Sequence, residues 1–153
     1  MEFFELIKTG NTEGVKQHLI VNPSAIGEKD PRGFPAIILA TYFDQPEITK
    51  VLIEKGADVN AIDAAGNTAL MGVCFKGNTE IAGLLINNGA DVNLQNVNGT
   101  TALMFSATFN QPEIAEMLIT AGANKFLKDA QGDTAYTLAK NKGYDGLAEL
   151  VKI

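Results

Sequence analysis

One interval governs what this chain can fold into. Asp30, Asp63, Asn96 and Asp129 stand 33 residues apart, and Gly33, Gly66, Gly99 and Gly132 keep the same step. Glu47, Glu80 and Glu113 follow, then Gly56-Ala57, Gly89-Ala90 and Gly122-Ala123. A chain with such a period builds one small unit repeatedly, each unit resting on its neighbours. Four units therefore begin at residues 30, 63, 96 and 129. Residues 1–29 read as a fifth, degenerate unit, because Gly10-Asn11-Thr12-Glu13 echoes Gly77-Asn78-Thr79-Glu80. The expected organisation is a single domain, 1–153, divided as an amino-terminal capping unit 1–29, internal units 30–62, 63–95 and 96–128, and a carboxyl-terminal capping unit 129–153.

Within a unit the residues alternate between helix and turn signals. Thr68 opens a short helix in Thr68-Ala69-Leu70-Met71, where its hydroxyl can accept a bond from an otherwise orphaned amide, and Thr101 and Thr134 repeat that start. A second helix begins near Thr79-Glu80 and places Ile81, Leu84 and Leu85 on one apolar face. It stops at Gly89, and Asp91-Val92-Asn93 leads through a polar loop towards Asn96. Helices this short are marginal alone, since isolated helices below about 12–15 residues need packing from elsewhere. Small residues at Ala40, Thr41, Val73, Cys74, Ser106 and Ala107 supply a seam for close stacking. The expected product is an all-α solenoid of helix-turn-helix units joined by β-turn or hairpin-like loops. In the last unit Lys140 and Lys152 take positions that are small or apolar in the other units, as a water-facing terminal cap requires, and the chain is expected to be complete there.

These features resemble the ankyrin repeat family over essentially the whole chain. The resemblance rests on the period, on the Asp-x-x-Gly-x-Thr turn from Asp63 to Thr68, and on Gly56-Ala57-Asp58-Val59-Asn60 and Gly89-Ala90-Asp91-Val92-Asn93. The family's Thr-Pro-Leu-His helix start appears here as Thr-Ala-Leu-Met at 68–71 and 101–104, as Pro35-Ala36-Ile37-Ile38 and as Thr134-Ala135-Tyr136-Thr137. The missing histidine removes a hydrogen-bonding network common in the family, so stability is expected to lean on apolar packing. Bacterial members often share this trait, which hints at a bacterial source. Asp44 and Asn110 replace the inter-helix glycines seen at Gly77 and Gly143, and both tolerate a left-handed backbone. Pro46 and Pro112 fall in the first turn of the second helix.

The resemblance implies a concave surface built from loop tips and first helices, with the second, third, fifth, thirteenth and fourteenth positions of each unit facing it. The thirteenth and fourteenth are Tyr42-Phe43, Phe75-Lys76, Thr108-Phe109 and Asn141-Lys142, so three consecutive units present an aromatic before the inter-helix turn. Exposed aromatics anchor many protein interfaces. The same rings could equally cover neighbouring loops and inner helices. Phe34 lies at a loop tip, and Arg32, Asn67, Asn98, Thr100, Gln131 and Asp133 give a largely uncharged rim. The candidate partner-binding set is therefore Arg32, Phe34, Tyr42, Phe43, Asn67, Phe75, Lys76, Asn98, Thr100, Phe109, Gln131 and Asp133.

Composition narrows the function. A formal net charge of −6, without any basic cluster, disfavours nucleic acid. No apolar run approaches membrane-spanning length. Cys74 is the only cysteine and His18 the only histidine, so an internal disulfide, a histidine-based triad and a multi-histidine metal site lack material. His18 is expected at the surface and Cys74 in the seam as an inert small hydrophobe. Asp58, Asp63, Asp91 and Asp129 recur once per unit as turn-formers, not as a calcium loop. No cofactor and no metal are expected. The leading expectation is a monomeric, non-catalytic scaffold for another protein, docked on the concave face. A narrower variant is an inhibitor or immunity-type protein that blocks an enzyme. A small-molecule-binding or enzymatic role and a structural module cut from a longer chain are the competing classes. The compartment stays open: a cytoplasmic location is favoured over a periplasmic one, which would need a leader removed ahead of residue 1.

Overall fold

The computed structural model describes residues 2–153. Ten α-helices follow one another in pairs: α1 (Phe3–Lys8) and α2 (Thr12–Val21), α3 (Ala36–Tyr42) and α4 (Pro46–Glu54), α5 (Ala69–Lys76) and α6 (Thr79–Asn87), α7 (Ala102–Thr108) and α8 (Pro112–Thr120), α9 (Ala135–Lys142) and α10 (Asp145–Leu150). The odd-numbered helices pack against each other in chain order to make an inner layer, and the even-numbered helices make an outer one. The fold is an all-α solenoid, without a β-strand among the described residues. A short 3₁₀ turn, Pro23–Gly27, joins the first pair to the second.

Local chemistry explains where each helix starts. The hydroxyls of Thr68, Thr101 and Thr134 accept the amides of Met71, Met104 and Thr137 at 3.3, 3.2 and 3.3 Å. Apolar packing does not stand alone in place of the missing histidine. The Met71 sulfur accepts the Thr68 amide at 3.4 Å, and the Thr137 hydroxyl accepts the Thr134 amide at 2.9 Å. On the outer layer, Asn11 and Asn78 cap α2 and α6 with their side-chain oxygens, while Pro46 and Pro112 occupy the first turn of α4 and α8. The inter-helix turns require a left-handed residue, and Asp44 and Asn110 supply it at φ 53° and 52°.

The loop tips repeat one hydrogen-bonding scheme. The amides of Asp30, Asp63, Asn96 and Asp129 donate to the carbonyls of Phe34, Asn67, Thr100 and Asp133 at 2.9 to 3.0 Å. One side-chain oxygen of each accepts two further amides within the same tip. Asp58 and Asp91 cap the amides of Asn60 and Asn93 in the same way. The four aspartates considered as calcium ligands are thus turn-formers. The hairpin-like tips close without strands, save one isolated bridge between Lys29 and Pro35.

Two kinds of contact join one unit to the next. The seam residues Ala40, Thr41, Val73, Cys74, Ser106 and Ala107 are all buried, alongside Leu70, Leu103, Ile81, Leu85, Ile114 and Leu118. Leu84, placed with Ile81 and Leu85 on the apolar face, is only half-buried. Burial pushes the Cys74 thiol up to about 12, so the sulfur stays protonated and unreactive at neutral pH. Asparagines form the second contact. The Asn60 side chain accepts the Asp91 amide at 2.8 Å and donates to the Gly89 carbonyl at 3.4 Å. Asn93 does the same to Asn124 and Gly122 at 2.7 and 3.3 Å.

His18 departs from its expected surface position: it is half-buried and stacked on Phe3, ring centroids 4.9 Å apart. In the last unit Lys140 and Lys152 are exposed and paired with Asp145 and Glu149, each at 3.8 Å. No helix among the described residues is long and apolar enough to cross a membrane. No group of three or more His, Cys, Asp or Glu residues comes together there as metal ligands could.

Candidate binding face on the inner helices

Large apolar side chains are ordinarily the first to be withdrawn from water, so where they stay outside carries information. Four rings on the inner-helix face do so: Tyr42 at 56 % exposure, Phe75 at 55 %, Phe109 at 38 % and Phe43 at 36 %. Tyr42 and Phe75 come from α3 and α5, and Phe43 and Phe109 end α3 and α7. Tyr42 and Phe75 take the thirteenth position of their units and Phe43 and Phe109 the fourteenth, so three successive units each present an aromatic before the inter-helix turn.

The rings form two subsets instead of one even strip. Phe75 meets Phe109 edge-on, and Phe105 stacks on Phe109 with centroids 6.3 Å apart. Tyr42 meets Phe43 edge-on at 5.2 Å. Between these subsets lies an apolar groove of about 330 Å³, whose walls are Phe34, Ile38 and Tyr42 on one side and Phe75, Phe105 and Phe109 on the other. Gly72 lies between them in sequence and lines the same groove. A second hollow, of about 450 Å³, is bounded by Arg32, Phe34, Ile38, Leu39, Tyr42 and Phe43. Phe34, Ile38 and Tyr42 line both, so the two hollows adjoin.

Charged groups are held over the aromatic faces. The Arg32 guanidinium sits 5.0 Å from the Phe34 ring centroid, and the Lys76 ammonium 5.1 Å from that of Tyr42. Lys76 also approaches the Asp44 carboxylate at 3.6 Å, which ties the third unit to the second. Six of the 18 acidic residues, Glu47, Glu54, Glu80, Glu113, Glu116 and Glu149, are exposed on the outer helices.

The remaining residues of the expected set divide by what their side chains already do. Asn98 and Gln131 are exposed at the tips, and Thr100 is half-buried. Asn67 is half-buried and accepts a bond from Asn96 at 2.9 Å, while Asp133 accepts the Thr137 hydroxyl at 3.1 Å. Those two side chains are engaged in holding the tips. Thr41, Asp63, Thr68 and Met71 also line the groove outside the expected set, and three further lining residues, Ile38, Gly72 and Phe105, escaped the sequence reading. Ile38 belongs to the ninth position of its unit and the other two to the tenth, outside the positions taken to face the surface. The available signal was a glycine in mid-helix where the flanking units carry Leu39 and Phe105.

Stacked helix pairs with capped tips and one open apolar face define a helical repeat protein. The chain belongs to the ankyrin repeat family: a family model described as "Ankyrin repeats (3 copies)" matches residues 3–96 and again 71–153. Ankyrin repeats are in general protein–protein interaction modules and typically non-catalytic. A comparison with curated proteins gives no match.

Proposed function

We propose that this protein is a scaffold that binds another protein through its inner-helix face, with Tyr42, Phe43, Phe75 and Phe109 as anchors. The observation that carries this reading is the clustering of four exposed aromatic rings around one groove on the inner-helix face, whereas Phe126 is exposed outside that groove. Rings of this size supply much of the energy when an interface buries them, because they bring large area at little conformational cost. The neighbouring polar groups of Arg32, Asn98 and Gln131 suit a rim around such a core. Protein captured from the native host on immobilised wild-type chain should fall by at least about tenfold on the Phe43→Ala, Phe75→Ala, Phe109→Ala variant. Circular dichroism should be unchanged, since Phe43 and Phe109 cap α3 and α7 through their backbone amides, which alanine keeps, and none of the three rings belongs to the buried seam. Equal capture by both baits contradicts the proposal.

A further inference from the structure

Gly72 breaks a local rule without local cause. It stands inside α5, where glycine weakens a helix relative to alanine. Its φ is not in the positive region, and a Cβ added there would meet nothing within 4 Å, so neither a turn nor a close approach requires it. Its effect is to leave space between Ile38 and Phe105. The loop tips part at the same place. The third, fourth and fifth tips are stitched: Val97 donates to the Ala65 carbonyl at 3.0 Å, and Ala130 to that of Asn98 at 2.9 Å. A Cβ on Gly66 or Gly99 would lie 3.2 or 3.1 Å from the backbone of the next tip, whereas one on Gly33 would meet nothing within 4 Å. Phe34 stands where Asn67 accepts the stitching bond from Asn96, and neither the phenyl ring nor the Asp63 carboxylate has a donor with which to make the equivalent bond.

Charge says what could enter. The Arg32 side chain is 65 % exposed, and its one carboxylate neighbour, Asp30, is 2 % exposed at 3.8 Å, beyond hydrogen-bond reach. Arg32 Nε pairs loosely with the Asp30 Oδ2 atom, Oδ1 accepts the amides of Arg32 and Phe34, each at 2.9 Å, and among the described residues no hydrogen bond uses the guanidinium donors. The guanidinium thus keeps its forked donors for a carboxylate from outside, and it sits over Phe34, which also lines the groove.

We propose that the space above Gly72 receives one large apolar side chain of an extended partner segment, and that Arg32 takes the side-chain carboxylate of an Asp or Glu nearby in that segment. This deepens the reading of the inner face as a protein-binding surface and rests on it.

The probe is a phage-displayed library of random peptides selected on the full chain. Selected peptides should share one large apolar residue with an Asp or Glu at fixed spacing. Their affinity should fall by at least about tenfold on Gly72→Leu, which fills the space with a good helix former, and by less on Gly72→Ala. Arg32→Gln should weaken the acidic peptides and leave their Gln counterparts unchanged, with a loss that shrinks as salt rises. A library that yields no binders, or binders indifferent to Gly72→Leu and Arg32→Gln, overturns the proposal. Host-partner capture separates the two claims. Capture that survives Gly72→Leu and Arg32→Gln but fails with the triple Phe variant overturns this socket and leaves the surface standing, whereas capture indifferent to the triple variant removes the reading beneath it.

Discussion

The ring of Phe75 meets that of Phe109 edge-on, centroids 4.8 Å apart and planes at 77°, although 33 residues of sequence separate the carrying units. The contact places the positive edge of one ring against the negative face of the other. It also ties α5 to the end of α7 across the exposed face. Phe75→Ala and Phe109→Ala should each destabilise the fold by about 1 kcal/mol, and the double variant by less than the sum, with a coupling of about 0.5–1.5 kcal/mol. Urea titration of the four members of the cycle measures it. Strict additivity would mean that the rings are neighbours without interacting.

Gly72→Ala should stabilise the protein by about 1 kcal/mol and raise Tm by about 2–4 °C, since the added methyl meets nothing and the helix gains its best former. Differential scanning calorimetry reads this directly. A lower Tm would show that the glycine serves the fold, and the account of the groove would lose its first support.

The Asn93 side chain spans two units by two hydrogen bonds, to the Asn124 amide and the Gly122 carbonyl. Asn93→Ala should cost about 1 kcal/mol and speed hydrogen exchange at the Asn124 amide, while amides in α3 keep their protection. Exchange that rises evenly along the chain would indicate global loosening instead of a local bond.

Cys74 gives the fold a dependence on alkaline pH. Its folded thiol is pushed up to about 12 by burial, against 9.0 as the ordinary value. Above pH 9 the unfolded chain releases this proton and the folded chain keeps it, so the folded state binds more protons and stability falls as pH rises. Below pH 9 the group contributes no slope. Between about pH 9 and about pH 11, wild type should lose up to about 1.4 kcal/mol per pH unit more than Cys74→Ala, as read by urea denaturation. Parallel profiles for the two proteins would contradict it.

What could be read from the residues alone is what repeats or acts locally. The Asp63 turn, the Thr68 cap and the left-handed Asp44 and Asn110 each involve atoms within a few residues of each other, so sequence neighbours carry the whole cause. The period then copies every such feature to its place in the stack. Features that arise between units were harder to see. The space above Gly72 exists because Ile38 and Phe105, one repeat away on either side, do not fill it, and the open tip at Phe34 follows from a bond that Asn67 makes with Asn96 in the next pair. His18 and the Pro23–Gly27 turn lie in the degenerate first unit, which has no register to copy from. The missing histidine was read as a pure loss, whereas Met71 and Thr137 regain one polar contact each because their side chains reach back to the capping residue's amide.

The central claim is that one face of this stack, the inner one, binds protein. Its most direct test is the dissociation constant of the captured partner for three chains: wild type, the Phe43→Ala, Phe75→Ala, Phe109→Ala variant, and a matched outer-helix variant with Glu47→Ala, Glu80→Ala and Glu113→Ala. The account predicts that the inner-face variant weakens Kd by at least about tenfold, or about 1.4 kcal/mol, and that the outer-face variant stays within about twofold of wild type. Equal losses in both variants, or a loss confined to the outer helices, would contradict it.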